Sequence, residues 1–436
     1  LAIRVALENL ARNAGYPDPV RLTWAMETKQ VQNILSKETE VVLDDVTISL
    51  VINNEGKADL VTYKAGKELK SIPPKYKKDK GILELTNYRK TMREQWTRSR
   101  KGLEESMIRG DEFLFAEMQN LFEHPIISKH LEKLVFISND DKIGFYVGGS
   151  LVTGLGEMIS LNEKQTFRIA HCFDLHKNNV WVDYQKYCFD NKLQQPFKQV
   201  FRELYVPTPD ELKEKAISRR YAGHQVQPNQ TLALLKTRGW KVDYEEGLQK
   251  VFHKEGYQVK MYAMADWFSP ADVESPTLET IEFHSLKDYK NIAFEDINPR
   301  IFSEVMRDID LVVSVAHVGG VDPEASHSSI EMRAVLLRET LRLFKIKNVE
   351  ITGNHAIIKG QLAEYSVHLG SAIVHQLPGK YLSVLPIHSQ HRGRLFLPFA
   401  DDDPKSAEVM SKVLLFAKDN EIQDPTILSQ IDKTYA

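Results

Sequence analysis

Two arginines and a histidine precede a short apolar segment in RRYAGHQVQPNQTLALLKTRGW, residues 219–240. Arg219, Arg220 and His224 would suit an anion, because the helix that follows presents unpaired backbone N–H groups at its N-terminus. Alternatively, Arg219 and Arg220 form ion pairs with nearby acids, and Trp240 fills a core. The nearby acids are Asp210, Glu211 and Glu214. The second interpretation is favoured, because arginines close to acids commonly form ion pairs.

A second group of candidate ligands lies in HCFDLH, residues 171–176, with Cys188 downstream. His171, Cys172 and His176 supply the nitrogen and sulfur atoms that zinc prefers, but a zinc site needs three or four ligands around one point. Their spacing matches neither CxxC nor HExxH. We interpret the segment as a turn with polar residues and a buried cysteine. The three residues stay the candidates for a metal site, while no metal is predicted.

Histidines and acids also cluster towards the C-terminus. The histidines are His368, His375, His388 and His391, and the acids are Asp401, Asp402 and Asp403. An enzyme of unrecognised type would combine Arg220, His224, His368 and Asp401 in one site. Separate surface histidines are the more common arrangement, and a run of acids before a helix also suits the positive end of its dipole.

Two further segments lack the motifs that would identify an enzyme or a cofactor site. Ser371 follows Gly370, yet the GxSxG elbow of many hydrolases is missing. Gly319 and Gly320 follow an apolar run, but neither GxGxxG nor GxxxxGK[ST] is present. No catalytic serine and no cofactor are therefore predicted.

The segment 70–101 is rich in lysine and arginine, which suit phosphate groups. A basic surface gains affinity for nucleic acid by releasing counterions, and Tyr88 or Trp96 would stack on bases. Both aromatic residues nevertheless lie on the apolar face of a long helix, where core packing is the usual role. Apolar residues at 88, 92, 96, 103 and 107 have spacings of four and seven and predict this helix, which ends near Gly110. A solvated helix face is the alternative to a nucleic-acid site.

Composition limits the class of protein. The chain has 436 residues with 42% apolar and 27% charged, which is typical of a globular protein with two or three domains. A net charge of −3 gives no global preference for nucleic acid or an anionic membrane. Two cysteines favour a reducing compartment, so a cytoplasmic location is predicted. The chain begins with Leu inside a predicted helix, and we expect a fragment of a longer protein.

Helical and strand-like segments alternate irregularly, which predicts an α+β fold rather than a doubly wound sheet. One of the predicted strands is 46–52, where apolar and polar residues alternate. Residues 1–264 are expected to form a mixed helical and β body, with a possible division near 150. Residues 265–300 are rich in Asp, Glu, Ser and Pro and are interpreted as a linker or an inserted loop. Residues 298–436 are expected to form a smaller, strand-rich unit flanked by helices.

Several segments together resemble the MolR-like family, also described as the domain of unknown function 4132 family. The segments are GKELKSIPP (66–74), LEESM (103–107), EHPI (123–126), QQPFKQVFRELY (194–205), RRYAGHQVQPNQTLALLKTRGW (219–240), FSEVMRDIDLVVSV (302–315), EYSVHLGSAI (364–373), KYLSVLP (380–386) and LFLPFADDDPKSAEVMSKVLLFAKDNEIQDPTI (395–427). The resemblance implies the C-terminal region of a longer protein that works with AAA+ ATPases and von Willebrand-type partners. A remodelling or stress-response assembly is the implied setting, and no catalytic residues are transferred.

Three hypotheses follow, in order of preference. The first is a regulatory module that acts through protein–protein interaction, the second is the enzyme described above, and the third is nucleic-acid binding through 70–101. The residues to mutate first are those of the signature segment: Arg220, Gly223, His224, Arg238, Gly239 and Trp240.

Overall fold

The structure is a computed structural model, and it describes residues 2–243, 247–264, 275–316, 318, 327–385 and 395–432. Within these residues, helices accompany four antiparallel sheets, which confirms the predicted α+β fold class. The chain divides into two compact units. The first comprises Leu1–Tyr184 and Leu193–Val200, and the second comprises Gln185–Lys192 and Phe201–Ala436. The domains predicted at 1–264 and 298–436 stay a prediction.

The first unit contains two sheets and the helices that cover them. Its helices are α1 (Ala2–Asn13), α2 (Pro19–Leu35), α3 (Lys80–Arg109), α4 (Phe115–Phe122), α5 (Ile127–Leu131) and α6 (Cys172–Lys177). The first sheet has the order β1 (Glu40–Leu43), β2 (Val46–Ile52), β3 (Ala58–Lys64), β4 (Lys67–Leu69). The second sheet has the order β5 (Phe113–Leu114), β10 (Thr166–Ile169), β6 (Val135–Ser138), β7 (Ile143–Val147), β8 (Ser150–Val152), β9 (Met158–Ser160).

The long helix α3 packs against both sheets. Its first half buries Ile82 and Met92 in one apolar cluster with Ile48 of β2. Its second half buries Leu103 in another cluster with Phe136 of β6. One helix therefore contributes side chains to two separate apolar clusters. Burying each large apolar side chain stabilises the fold by about 1.5–3 kcal/mol.

The next helix along the chain is α7 (Trp181–Asp190). The second unit contains the other two sheets. Its helices are α8 (Pro209–Glu214), α9 (Pro228–Lys236), α10 (Pro299–Ala316), α11 (His327–Leu343), α12 (Pro404–Ala417) and α13 (Pro425–Leu428). The third sheet has the order β11 (Ile217–Ser218), β15 (Thr277–Ser285), β14 (Tyr257–Met264), β13 (Gly247–Phe252), β12 (Lys241–Asp243). The fourth has the order β16 (Val349–Thr352), β17 (His355–Lys359), β18 (Glu364–His368), β19 (Val374–Gln376), β20 (Lys380–Leu382).

The third sheet corrects the interpretation of 265–300 as a linker or loop. Residues 277–285 form β15, which pairs with both β11 and β14. Leu278, Ile281 and Phe283 lie in the core, and a register shift between β14 and β15 accompanies the spacing of three between the first two. The two acids of the strand, Glu279 and Glu282, are not buried. Residues 265–274 lie outside the described residues.

The fourth sheet contacts α11 and α12, as the prediction of a strand-rich unit with flanking helices requires. The fully buried carboxylate of Asp419 accepts hydrogen bonds from the backbone N–H groups of Gln361 (2.7 Å) and Leu362 (2.7 Å). It also accepts one from the hydroxyl of Tyr365 on β18, at 3.0 Å. Asp419, which follows α12, therefore holds the loop between β17 and β18 in place.

Candidate functional site

The basic segment predicted at 70–101 contains most of α3, whose ends are well defined. Asp79 begins the helix, because its carboxylate accepts from the N–H groups of Gly81 (2.8 Å) and Ile82 (3.3 Å). Gly110 ends it with φ +66°, a left-handed conformation that costs glycine little. Thirty residues give a helix about 45 Å long, which confirms the long helix expected from the apolar spacing.

The exposed face of α3 carries a shallow groove with a volume of about 590 Å³. We call it the α3 groove, and its lining residues are Thr86, Arg89, Lys90, Arg93, Glu94, Thr97 and Arg98. Spacings of three and four residues place these side chains on one side of the helix. Four of the seven are Lys or Arg, and one is acidic.

Two arginines of the α3 groove are held by neighbouring groups. Arg93 donates from Nε to the carbonyl oxygen of Ala58 at 2.7 Å, and its guanidinium pairs with Asp59. Arg98 pairs with Glu27 of α2 at 2.8 Å. The two guanidinium-bearing side chains are still 47% and 53% exposed, so they are positioned and also accessible to solvent.

The other two cations of the α3 groove, Arg89 and Lys90, differ in this respect. Among the residues that the structure describes, neither side chain has a hydrogen-bond or ion-pair partner. Residues 70–101 contain eleven Lys and Arg against three Asp and Glu, a formal charge of +8. Because the whole chain has a charge of −3, the other residues together carry −11. Positive charge is therefore concentrated around this helix.

Both aromatic residues of α3 that were considered for base stacking are engaged in other contacts. Trp96 donates from Nε1 to the carbonyl oxygen of Glu55 at 2.8 Å. The Nζ atom of Lys57 lies 4.6 Å from the centroid of the indole, and the ring of His130 lies 5.0 Å from it. The hydroxyl of Tyr88 bonds to Glu84 and accepts from Lys37 at 3.2 Å.

In the segment 219–240, the arginines form the ion pairs of the second interpretation. Arg219 pairs with Glu214 at 3.4 Å. Arg220 makes a two-pronged contact with Glu211, at 2.5 and 3.1 Å, and donates to the carbonyl oxygen of Val206 at 2.7 Å. Its guanidinium also lies about 6 Å from two ring centroids, those of Tyr205 and Phe302. Arg220 therefore connects α8, α10 and the start of the third sheet.

The end of the same segment meets a buried acid on α10. Gly239 adopts φ +83°, and Trp240 donates its backbone N–H to Leu235, which ends α9. The indole Nε1 of Trp240 then donates to Asp308 at 2.9 Å. Arg238 pairs with the same carboxylate at 3.4 Å, and Lys250 of β13 pairs with it at 2.9 Å.

His224 lies in the turn between these two groups and is partly buried. Its carbonyl oxygen accepts the N–H of Leu278 at 2.9 Å, which joins the turn to β15. Gly223 has φ +86° in the same turn.

His368 ends β18 and holds the loop that follows. Its Nδ1 accepts from the N–H groups of Gly370 (3.2 Å) and Ser371 (3.0 Å), and its ring centroid lies 4.8 Å from that of His355. Three cations bind carbonyl oxygens of this loop: Arg333 binds those of residues 369 and 370, and Lys405 and Lys412 bind those of 371 and 372. The contacts described for Arg220 lie around the third sheet and those described for His368 around the fourth.

Asp401 is partly buried in the acidic run before α12. Two residues later, Asp403 caps that helix by accepting from the N–H of Ser406 at 3.0 Å and from its hydroxyl at 2.8 Å. The ring of His375 lies 6.0 Å from that of Tyr381. The predicted candidates His388, His391, Gly319 and Gly320 lie outside the described residues.

His171 of the candidate metal group caps α6. Its Nδ1 accepts from the N–H of Phe173 at 3.1 Å, and Asp174 accepts from the N–H of His171 at 2.8 Å. Burial alone would raise the pKa of Asp174, but two hydrogen bonds and the charge of Arg168 lower it below its usual value. Cys172 is buried, whereas His176 is exposed. In the described part of the chain, no three His, Cys, Asp or Glu side chains form a group that could hold a metal ion.

Sequence reasoning missed several buried polar side chains on α10. Glu304 forms a two-pronged contact with Arg202, at 2.5 and 2.7 Å, where the side chains are 2% and 1% exposed. Asp310 accepts from the hydroxyl of Tyr205 at 2.7 Å. The signal was present, because acids inside an apolar helical run require buried partners.

A buried glutamine in the first unit was also missed. Gln199 accepts from the N–H of Val135 (2.9 Å) and from Gln195 (2.7 Å). Its Nε2 donates to the carbonyl oxygens of Val135 (2.7 Å) and Ala170 (2.8 Å). These bonds lie where the pairing of β6 with β10 ends, so the side chain continues the ladder of the sheet.

The comparisons with known proteins divide the chain into matched segments. Residues 66–240 match the family model of a domain of unknown function, DUF4132, and residues 330–431 match that of a second, DUF7737. Residues 1–26 match a family of unknown function, DUF5724. No curated protein and no solved structure matches the chain at a significant level. Among the described helices, none has the length and apolar character to cross a membrane.

The DUF4132 match contains the whole α3 groove and the signature segment that ends at Trp240. Residues 66–240 of this chain are therefore similar to the DUF4132 domain family.

Proposed function

We propose that the first unit binds nucleic acid along the basic face of α3. The observation that carries this proposal is the α3 groove, in which four cations and one acid line a single helical face. Cationic side chains bind the phosphate backbone, and the release of condensed counterions supplies much of the free energy of binding.

The arrangement of the cations favours a polymer over a single phosphate. Arg89 and Arg98 are nine residues apart, which corresponds to about 14 Å along the helix axis. One phosphate would not reach both, whereas successive phosphates of one strand would. Arg93 and Arg98 are already oriented by Ala58 and Glu27, so less side-chain entropy is lost when a ligand binds.

Two alternatives from the sequence have less support. The enzyme hypothesis uses Arg220, His224, His368 and Asp401, of which Arg220 and His368 have structural contacts. The regulatory module that acts through protein–protein interaction stays a prediction from the sequence. Association with an AAA+ ATPase or a von Willebrand-type protein, membership of the MolR-like family and a role in regulation or stress response stay predictions from the resemblance. A cytoplasmic location stays a prediction from cysteine content.

The test is fluorescence anisotropy with a labelled duplex DNA of about one to three helical turns and the full 436-residue chain. Two to four phosphate contacts would give a slope of log K against log salt of about −2 to −4, because each contact contributes about −0.9. Affinity should therefore fall by about 16- to 250-fold between 50 and 200 mM salt, because the salt concentration rises fourfold.

The decisive variant is the double substitution Arg89→Glu and Lys90→Glu. It should weaken binding at least about tenfold and reduce the magnitude of the salt slope by about two. The matched control is Lys164→Glu with Lys177→Glu, which changes the net charge equally at exposed positions of the same unit. Equal losses in both variants, or a salt-independent affinity, would refute the proposed function.

A further inference from the structure

We infer that the α3 groove recognises the phosphodiester backbone without reading bases, and that it therefore prefers duplex over single-stranded nucleic acid. The inference rests on the proposed function and specifies its ligand. It follows from which groups the groove presents and which groups the surrounding structure has already engaged.

Base stacking needs an aromatic ring with an accessible face. None of the seven residues that line the α3 groove is aromatic. The indole of Trp96, on the same helix, has contacts with the ammonium of Lys57 and the ring of His130. Its N–H is bonded to Glu55, so stacking a base on this ring would require these contacts to be broken.

Tyr88 is engaged in a similar way. The Nζ atom of Lys37 lies 5.3 Å from the centroid of the phenol ring and also donates to its hydroxyl. The hydroxyl bonds to Glu84 one turn earlier on α3. Neither aromatic residue near the groove is thus a prepared stacking platform.

Readout of base edges relies on side chains that present two donors or acceptors in a plane, such as the guanidinium of Arg on guanine. Arg93 already uses Nε and one further nitrogen for Ala58 and Asp59. Arg98 uses Nε and Nη2 for Glu27, and its Nη1 lies 3.9 Å from Glu94. Their remaining N–H groups suit single contacts with phosphate oxygens. Lys90 is a point charge without a planar fork, and it likewise favours phosphate over a base edge. Arg89 is the one groove arginine whose guanidinium has no partner among the described residues, and a single such fork would read at most one base pair.

A site that reads only charge responds to the linear charge density of its ligand. Duplex DNA carries one negative charge per about 1.7 Å of axis, which exceeds the density of a single strand. The slope per contact is also larger for the duplex, about 0.9 against about 0.7. Lys77, Lys78 and Lys80 are exposed beside the first turn of α3 and extend the positive field beyond the groove.

The test measures the affinity of the full chain for four oligonucleotides of equal length. Two are duplexes of the same composition in different sequence order, one is a single strand, and the last is that strand with abasic sugars throughout. We expect the two duplexes to bind equally within about twofold and more tightly than either single strand. The two single strands should also agree within twofold, because they carry the same phosphates.

The inference is overturned if the strand with bases binds at least tenfold more tightly than its abasic counterpart, or if one duplex sequence is preferred by that factor. Tyr88→Leu provides a second measurement, since it removes a ring and should leave every affinity unchanged. Whether or not this inference survives, weaker binding by the variant that carries Arg89→Glu and Lys90→Glu shows that the proposed function holds. If no oligonucleotide binds, the proposed function itself fails.

Discussion

Replacing Gln199 by leucine tests whether this buried side chain supports the second sheet. The two residues have similar volume, so the substitution removes hydrogen bonds with little change in packing. Gln199 is fully buried, and its four hydrogen bonds link Val135 of β6 with Ala170 and Gln195. Water has no access to replace them.

The expected cost follows from the groups that lose their partners. The N–H of Val135 loses Oε1, and the carbonyl oxygen of Ala170 loses Nε2. The carbonyl oxygen of Val135 still accepts the N–H of Ala170 at 2.9 Å. A buried polar group without a partner costs about 1–3 kcal/mol, so two groups lower the free energy of unfolding by about 2–6 kcal/mol.

Two measurements check this prediction. Urea unfolding reports the free energy, and hydrogen exchange read by mass spectrometry reports protection of the peptide that contains Val135. Exchange of that amide should accelerate, because its acceptor is gone. Gln119→Leu on the exposed face of α4 is the control and should change stability by less than about 0.5 kcal/mol. If Gln199→Leu behaves like this control in both assays, the assigned role of the side chain is wrong.

Three further predictions concern buried polar groups. Glu304→Gln leaves the guanidinium of Arg202 buried without its counter-charge and should lower the free energy of unfolding by about 3–5 kcal/mol. A loss below about 1 kcal/mol in urea unfolding would contradict this. Trp240→Phe removes a donor to Asp308 and should cost about 1–3 kcal/mol, measured in the same way, and an unchanged midpoint would count against it. Burial lowers the pKa of His124 and of His130 to about 4, from an ordinary value of 6.5. The unfolded chain then binds more protons between pH 6.5 and 4, so stability is lost as the pH falls through that range, by about 1.4 kcal/mol per pH unit for each histidine. His130→Gln should remove one such contribution from a pH series of unfolding curves, and a slope equal to that of the unsubstituted chain would contradict this.

The part of the fold that local patterns encode was predictable. Apolar residues at spacings of four and seven indicated α3, and Asp79 and Gly110 mark its ends. Alternation in 46–52 indicated β2, whose buried positions are Val46, Ile48 and Leu50. In these elements, the spacing of the apolar residues predicts the type of element, and in α3 the capping residues also predict where it begins and ends.

Composition was a poor guide in 265–300. Acidic and proline residues suggested a loop there, although β15 buries Leu278, Ile281 and Phe283. The strand forms because its apolar face joins the core of the third sheet, and that pairing involves β11 and β14. Tertiary contacts of this kind outweigh the average polarity of a segment.

The partners of the signature residues were beyond local reasoning. Ion pairs between Arg219 or Arg220 and acids five to nine residues away were one of two predicted interpretations. The contact of Trp240 with Asp308 joins residues 68 apart, and no local pattern encodes such a distance. The apolar spacing of 88–107 indicated the inner face of α3, but the contacts that hold Arg93 and Arg98 on its outer face come from β3 and α2.

The carboxylate of Asp308 also bears on the order in which the second unit folds. Its partners Trp240 and Lys250 lie 68 and 58 residues earlier in the chain, so each contact closes a long loop before any stabilisation is gained. Contacts with such separation form late, after the third sheet and α10 have met. Loss of this carboxylate should therefore leave the refolding rate nearly unchanged and accelerate unfolding, which makes Asp308 a determinant of the lifetime of the native state.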